Sequence, residues 1–325
     1  MQFFAVVARL SLATQILVVI STAAQPVVIP PAAIEQLQQA IGHRVELGTI
    51  LGGDYAAAGG IYSFRGGSVA DLNLSKIGGG GDVAEPKPLG LGDLRWAPVL
   101  QGNLGRLAAS DDFKSGYLEG NKSTYDTYAV QLGGGARFYF NQHLSLAPLF
   151  SALYGHTENE FQAGNAIGEA VKAAASGTLV DWKVDTWSIV PALDLKCDWT
   201  WGRTAFEFRS RFDYFHTESF KTSSPLIGIE GSSQTWENKF DADVPLGLRL
   251  LGGELHTGGF VSRTELFGDA VQGLSVNNFY TLNGRFVWAP LGKFLKLRWF
   301  GLGASFFLGE HFQGWSAGVD LSFKL

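Results

Sequence analysis

Hydrophobic and polar residues alternate along most of the chain, and the last residues show this pattern most clearly. Apolar side chains occupy every second position of 315–325, and Ser, Gly, Asp and Lys occupy the positions between them. Because successive side chains of a β-strand point to opposite faces of its sheet, the alternation predicts a terminal strand with one apolar and one polar face. The same pattern recurs in segment after segment, which predicts an all-β protein.

Turn residues divide the alternating pattern into twelve segments that we predict to be β-strands. The segments are 59–66, 68–77, 91–107, 124–140, 143–158, 178–198, 201–218, 233–250, 253–267, 277–290, 294–308 and 312–325. Short joints are predicted at Asn141–Gln142, Trp199–Thr200, Leu251–Gly252 and 290–293, and long polar joints at 108–123, 159–177, 219–232 and 268–276. Alternating short turns and long loops are typical of an antiparallel up-and-down barrel that spans an outer membrane.

Charged residues collect on one face of several predicted strands. In 201–218, for example, Phe206, Phe208 and Phe212 alternate with charged side chains. A charge that faces lipid near mid-bilayer costs about 2–4 kcal/mol, so the charged faces are expected to point into the barrel. The predicted lumen-lining residues are Asp194, Lys196, Glu207, Arg209, Arg211, Asp213, Glu237, Lys239, Asp241, Asp243 and Arg249.

Tryptophans lie near the ends of the apolar faces. Trp187 and Trp199 share one face and are twelve residues apart. At ~3.3 Å per residue and ~40° tilt they bracket a band of ~30 Å along the membrane normal, enough for the ~25 Å apolar zone of such barrels. The predicted aromatic girdle consists of Trp187, Trp199, Trp236 and Trp315.

Composition agrees with dispersed apolar positions. Of 325 residues, 46% are hydrophobic and 17% are charged, yet the mean hydropathy is only +0.08. After the N-terminus no run approaches the ~20 apolar residues of a spanning helix. A net charge of −5 gives no reason to expect nucleic acid as a partner. The single cysteine, Cys197, cannot form an internal disulfide.

The N-terminal region predicts export. Residues 1–24 have a basic residue, an apolar run and small residues suited to cleavage, as in a secretory signal peptide. Residues 25–42 are predicted to form a proline-rich spacer followed by a short amphipathic helix at 32–41, the one helix that the sequence predicts. The barrel is predicted to occupy 43–325.

A signal peptide, a short helix, about twelve alternating strands and a sealing terminal strand together resemble the translocator barrels of autotransporters. The resemblance implies an outer-membrane location in a Gram-negative bacterium, a helix in or near the lumen, and a C-terminal signal for the barrel-assembly machinery. That signal maps onto Val319, Leu321, Phe323 and Leu325, although the family favours a terminal aromatic residue. Fewer than ten residues separate the signal peptide from the helix, so the chain resembles the solitary members that lack a passenger.

The resemblance implies a small pore or translocator, or a structural barrel whose internal charges neutralise one another. The expected partners are outer-membrane lipid, the assembly machinery and small solutes or ions. We expect the helix to lie against Gly133–Gly135.

Two other functions stay open. One is an outer-membrane enzyme resembling a phospholipase or protease, for which His156 and His216 are the candidate catalytic residues. The other is an adhesin or receptor that acts through its loops. We expect no enzyme activity, no cofactor and no metal, because the histidines are scattered singly and the glycine runs open no helix.

Overall fold

The computed structural model describes residues 57–66, 69–114, 116–224, 227, 230–274, 276–290, 297–310 and 312–323. Thirteen strands form one sheet, and twelve of them are long. The strands are β1 Ala57–Gly66, β2 Val69–Asp82, β3 Lys87–Pro88, β4 Arg95–Asp112, β5 Lys122–Tyr139, β6 Leu144–Gln162, β7 Lys183–Trp201, β8 Thr204–Thr222, β9 Glu230–Leu250, β10 Gly253–Gly268, β11 Asn278–Pro290, β12 Leu297–Gly309 and β13 Phe312–Phe323.

The sheet closes on itself. Each long strand pairs antiparallel with the next long strand along the chain, and β1 pairs with β13 from Ala57–Leu321 to Gly66–Phe312. The short β3 lies only beside β4. The predicted closed antiparallel barrel of twelve strands is therefore confirmed. The predicted signal peptide, spacer and helix 32–41 lie outside the described residues, as does Leu325.

The connections distinguish two ends of the barrel. At the turn end, β5 and β6 join through 140–143, β7 and β8 through 202–203, and β9 and β10 through 251–252. The predicted joint at Trp199–Thr200 comes two residues too early, because β7 continues to Trp201 and Gly202, with φ of +62°, makes the turn. At the loop end, the longest connection runs from 163 to 182.

Two helices lie in loop-end connections, and sequence analysis predicted neither. They are α1 Ala166–Ala175 and α2 Asp269–Leu274. Neither helix reaches the length and apolarity that crossing a membrane requires in the part of the chain described here. The side chain of Asn165 caps α1 by accepting a hydrogen bond of 2.7 Å from the Gly168 N–H. An N-cap residue before an alanine-rich run was the signal that could have revealed α1.

The apolar face of α1 builds a small core at the loop end. Its buried residues are Leu118, Phe161, Val171, Ala175, Leu179 and Val180. They come from the two long connections and from the end of β6, so the connections fold over the barrel instead of extending from it.

Many apolar side chains of the barrel are exposed and many polar ones are buried, which is the reverse of a water-soluble protein. On the outer face, Leu132 and Phe286 are both 68% exposed, whereas inward-facing Asp194 and Ser188 are 0% exposed. Water-soluble proteins rarely expose a continuous apolar surface of this extent. The outer face of the barrel therefore requires an apolar surrounding.

The predicted girdle tryptophans lie toward both ends. Trp187, Trp236 and Trp315 are exposed on the outer face in the loop-end half. Trp199, near the turn end, stacks on Phe206 with ring centroids 5.6 Å apart. Trp201, 80% exposed, and Trp288 also lie near the turn end but were missing from the prediction.

Leu193→Arg places a charge in the middle of the apolar outer face, where Leu193 is 47% exposed. We expect it to lower the free energy of unfolding in lipid vesicles by about 2–4 kcal/mol. Trp201→Arg, on the same outward face at the turn end of β7 where the side chain is 80% exposed, is the matched control and is expected to cost about 0–1 kcal/mol. Urea titration followed by tryptophan fluorescence measures both, and equal losses would contradict a lipid-facing Leu193.

Candidate functional site: the barrel lumen

The interior contains two adjacent cavities. The larger one, which we call the turn-end chamber, has a volume of about 1030 Å³. The smaller one, the inner pocket, has a volume of about 210 Å³ and lies deeper in the barrel. Arg211, Phe260 and Asp320 line both cavities, so the inner pocket adjoins the chamber.

The structure brings most of the predicted lumen residues together. The turn-end chamber is lined by Asp194, Lys196, Glu207, Arg209, Arg211, Lys239, Asp241 and Asp243. Asp213 and Glu237 line the inner pocket.

Arg249 lies elsewhere. Its side chain is exposed beside the turn at Leu251, away from the residues that line the two cavities. The β9–β10 register shifts just before it, where Leu246 and Gly247 have no partner in β10, and Gly247 has φ of +71°. Because two residues are inserted, the alternation of faces is kept and Arg249 pairs with Glu254; Arg249 lies outside the cavities because it is one residue from the end of β9.

Several charged residues of the lumen were not predicted from the sequence. Asp82, Arg137, Arg285 and Asp320 also line the turn-end chamber. Arg137, Arg285 and Asp320 are each the one charge near their position on the strand, and Asp82 is six residues from Lys76 on the same face of β2, so none of these strands shows a run of alternating charges. The alternation of faces was the one signal for Arg137, because it lies on the same face of β5 as Gln131, which is buried in the interior.

Asp194 is the centre of a buried ion-pair network. Arg137 Nη2 donates to Asp194 Oδ2 at 2.8 Å, and Arg209 Nε donates to Asp194 Oδ1 at 2.7 Å. Arg137 Nε also donates to Asp82 Oδ1 at 3.2 Å, and the Tyr139 hydroxyl donates to the same carboxylate. The network ties β2, β5, β7 and β8 together from inside the barrel, and two guanidinium groups compensate the buried carboxylate.

Other internal charges are also paired. Arg211 Nε and Nη2 donate to the Asp213 carboxylate at 2.8 and 2.7 Å. On the far side, Arg285 donates two hydrogen bonds of 2.7 and 2.6 Å to Asp241.

A polar link also crosses the lumen, because Arg211 Nη1 lies 3.5 Å from Gln101 Oε1 of β4. Together with the ion pairs within β8, between β7 and β8, and across intervening strands, this link leaves many of the lumen charges compensated by the protein itself.

Buried apolar side chains cluster in the interior toward the loop end. Two buried clusters, which we call the apolar plug, fill it there; they comprise Leu72, Leu107, Leu266, Ala270, Val276 and Phe307, and Ala109, Tyr125, Trp182, Val184 and Ile227. Ala270 belongs to α2, so this loop-end helix contributes to the plug. The lumen thus has a charged half around the turn-end chamber and a packed half, in which the apolar plug lies beside buried, hydrogen-bonded hydroxyl groups such as those of Thr127 and Thr157.

The glycine run in β5 has a structural role. A Cβ atom at Gly133 would lie 2.0 Å from Ser151 Oγ, and one at Gly135 would lie 2.2 Å from the Pro148 carbonyl oxygen. The glycines therefore allow β5 to approach β6 closely. The predicted contact of helix 32–41 with this run involves residues that are not described.

Neither candidate catalytic histidine has a nucleophile beside it. His156 Nδ1 lies 2.5 Å from Asp185 Oδ1 and its Nε2 lies 3.2 Å from Glu158 Oε1, so carboxylates occupy both ring nitrogens. His216 Nε2 lies 3.1 Å from Glu218 Oε1. Within the described ranges, no serine hydroxyl bonds to either ring, and no group of three His, Cys, Asp or Glu side chains could hold a metal ion.

Asp194→Ala leaves two buried guanidinium groups without their shared carboxylate. We expect it to lower the free energy of unfolding in detergent micelles by about 3–5 kcal/mol. Glu158→Ala removes the exposed ion pair with Lys183 at 2.6 Å and serves as the control, with an expected loss of about 0–1 kcal/mol. If urea titration gives similar losses for the two variants, the network does not hold the barrel together.

Solved autotransporter barrels are similar in fold. The β domain of the Bordetella autotransporter BrkA is 14% identical, with a TM-score of 0.51, and the match covers 82% of this chain and 97% of that domain. The transport unit of AIDA-I from Escherichia coli is 9% identical, with a TM-score of 0.50 and coverage of 87% and 99%. The translocator domain of NalP from Neisseria meningitidis is 13% identical, with a TM-score of 0.48 and coverage of 90% and 96%.

No curated protein matches the sequence closely enough to be counted as a relative. The model of one protein family does match, over residues 88–319, and its description is the solitary outer membrane autotransporter β-barrel domain. The match extends from β3 into β13 and so covers most of the closed sheet. A barrel that has an apolar outer face and a polar interior and matches this family belongs in the outer membrane of a Gram-negative bacterium. The chain is a member of the solitary autotransporter β-barrel family.

Proposed function

We propose that this protein is a structural barrel of the outer membrane whose lumen is a periplasmic chamber, closed to ions at the cell surface. The apolar plug carries the proposal. All its named residues are less than one-tenth exposed, and they fill the interior at the loop end. Apolar constrictions exclude water and therefore ions.

The orientation follows from the connections. Outer-membrane barrels place short turns in the periplasm and long loops outside the cell. On that basis the turn-end chamber opens to the periplasm, and α1 and α2 lie at the cell surface.

The paired charges also favour a structural role over a selective pore. Asp194, Asp213 and Asp241 each accept hydrogen bonds from an arginine, so they are compensated inside the protein. A pore for small ions needs charges or dipoles that are free to replace the hydration shell of the passing ion. In this lumen, those three carboxylates are paired with arginines of the protein instead.

The remaining partners are proposals of the same kind. Outer-membrane lipid suits the apolar outer face, and the barrel-assembly machinery would recognise the terminal strand through Val319, Leu321, Phe323 and Leu325. A second arrangement, in which helix 32–41 enters the turn-end chamber, rests on the sequence pattern and the presence of a hollow of about 1030 Å³.

An enzyme or an adhesin receives less support. His156 lies between two carboxylates and bonds to no serine among the described side chains, so a hydrolytic dyad lacks its nucleophile. The long connections around α1 pack on their own core, and the residues of this core do not indicate a binding partner.

Planar-bilayer recording tests the closed lumen. We expect the full mature protein to give no steady current, because the apolar plug excludes ions. Phe307→Ser with Leu266→Ser introduces hydroxyl groups into the plug and is expected to produce current. Phe212→Ser with Phe240→Ser, on the outer face, is the matched control and should stay silent. A steady current from the unaltered protein would overturn the proposal.

Cysteine cross-linking tests the position of helix 32–41. In a chain carrying Cys197→Ser, we expect Leu37→Cys to cross-link with Lys196→Cys, because Lys196 lines the turn-end chamber. Ser75→Cys, whose side chain is exposed on the outward face of β2, is the control and should not react with position 37. Mass spectrometry of the linked peptides reads the result, and equal linkage to both positions would place the helix outside the lumen.

A further inference from the structure

We propose that the inner pocket is a binding site for a small organic ammonium ion. The pocket combines aromatic walls with three carboxylates, Asp213, Glu237 and Asp320, against two cations, Lys76 and Arg211, and Glu237 has no ion pair among the described side chains. Buried acceptor atoms that lack a donor lie in or beside the pocket. This site is independent of the closed-lumen proposal, since binding requires no passage through the barrel.

Four aromatic rings form one wall of the pocket. Phe307 lies 5.0 Å from Phe64, 6.1 Å from Tyr62 and 6.2 Å from Phe279, measured between ring centroids. The faces and edges of packed rings present a polarisable surface, and the faces attract cations within about 6 Å. The wall therefore accepts an apolar group and favours a positive charge attached to it.

Glu237 supplies the negative charge. Arg211, its neighbour in register on β8, is engaged by Asp213, and Lys239 Nζ lies 4.9 Å from the ring centroid of Phe260. Glu237 itself makes no hydrogen bond or ion pair with any described residue. Because a half-buried carboxylate beside aromatic rings is poorly solvated, a cation in the pocket would be stabilised.

Two further atoms require hydrogen-bond donors. Asn283 lines the pocket and donates through Nδ2 to Ser305 Oγ at 2.9 Å and to the Ala304 carbonyl at 3.1 Å, and its buried Oδ1 has no partner among the described side chains. Ser262, 2% exposed on the inward face of β10, also has a buried Oγ without a partner. An ammonium group carries N–H donors, so it suits Asn283 Oδ1 and Glu237 together.

The size and position of the pocket fit a molecule with one ring. A cavity of about 150 Å³ holds benzene, and the inner pocket measures about 210 Å³. Gly59, Gly60 and Gly303, on the same strands as three of the rings, leave room beside them. The apolar plug closes the loop end, so the ligand would enter through the turn-end chamber past Arg211 and Asp320, which line both cavities.

The alternatives differ in charge. A carboxylate ligand would meet Glu237 without a free cation beside it and is disfavoured by like-charge repulsion. A neutral ligand would fill the aromatic wall but leave Glu237 uncompensated. The charge of the bound molecule is therefore the quantity to test.

The test compares three probes of one size: 2-phenylethylammonium, 2-phenylethanol and phenylacetate. Saturation-transfer NMR and calorimetry are run on the full mature protein in a maltoside detergent, which contains no ammonium group, with empty micelles as the blank. We expect the ammonium to bind at least about tenfold more tightly than either other probe, a difference of about 1.4 kcal/mol.

Two variants locate the site. Glu237→Gln should weaken ammonium binding about tenfold, equivalent to about 1.4 kcal/mol, and leave phenylethanol unchanged. Glu218→Gln, on the outer face of β8, should change nothing. Phe279→Leu, which keeps an apolar side chain and removes one ring, should weaken the ammonium more than the alcohol.

The outcomes separate clearly. Absence of ammonium binding by the unaltered protein overturns the proposal, and so does equal binding of the three probes. Ammonium binding that survives Glu237→Gln in a folded barrel places the cation elsewhere and also overturns it. The measurement is valid whether or not the bilayer experiment finds a current, so failure of one proposal is distinguishable from failure of the other.

Discussion

The structure depends on the pairing of β1 with β13. In hydrocarbon every backbone N–H and C=O must find a partner inside the protein, so a sheet in a membrane must have no free edge. The ten register pairs from Ala57–Leu321 to Gly66–Phe312 remove the two edges that an open sheet of these strands would have. Once the sheet closes, each alternate side chain is committed either to lipid or to the lumen.

Closure also forces the protein to compensate its own internal charges. The inward faces carry arginines and carboxylates that bulk water reaches only in part, and Asp194 is fully buried between Arg137 and Arg209. Pairs of this kind contribute little net stability compared with apolar packing, but removing one partner is costly. Their arrangement across β2, β5, β7 and β8 fixes the shape of the lumen on that side of the barrel.

The lumen has two environments because its two ends are built differently. At the end where β5–β6, β7–β8 and β9–β10 are joined by short turns, charged residues border a cavity of about 1030 Å³. At the other end the connections are long enough to fold over the barrel, and α2 adds Ala270 to the interior. The inner pocket lies between these environments, where rings from one half meet the charges of the other.

The sequence by itself determined the strands, their facing and the closed-barrel class, because lipid outside and polar residues inside impose a period of two on every strand. It also indicated most of the charges that border the chamber. Three features depended on tertiary structure: the pairing of Arg137 with Asp194, the position of Arg249 at the strand end outside both cavities, and the apolar plug. Alternation predicts which face of the sheet a side chain is on. Contacts across the lumen join residues dozens of positions apart, and which of them meet depends on the register of the closed sheet.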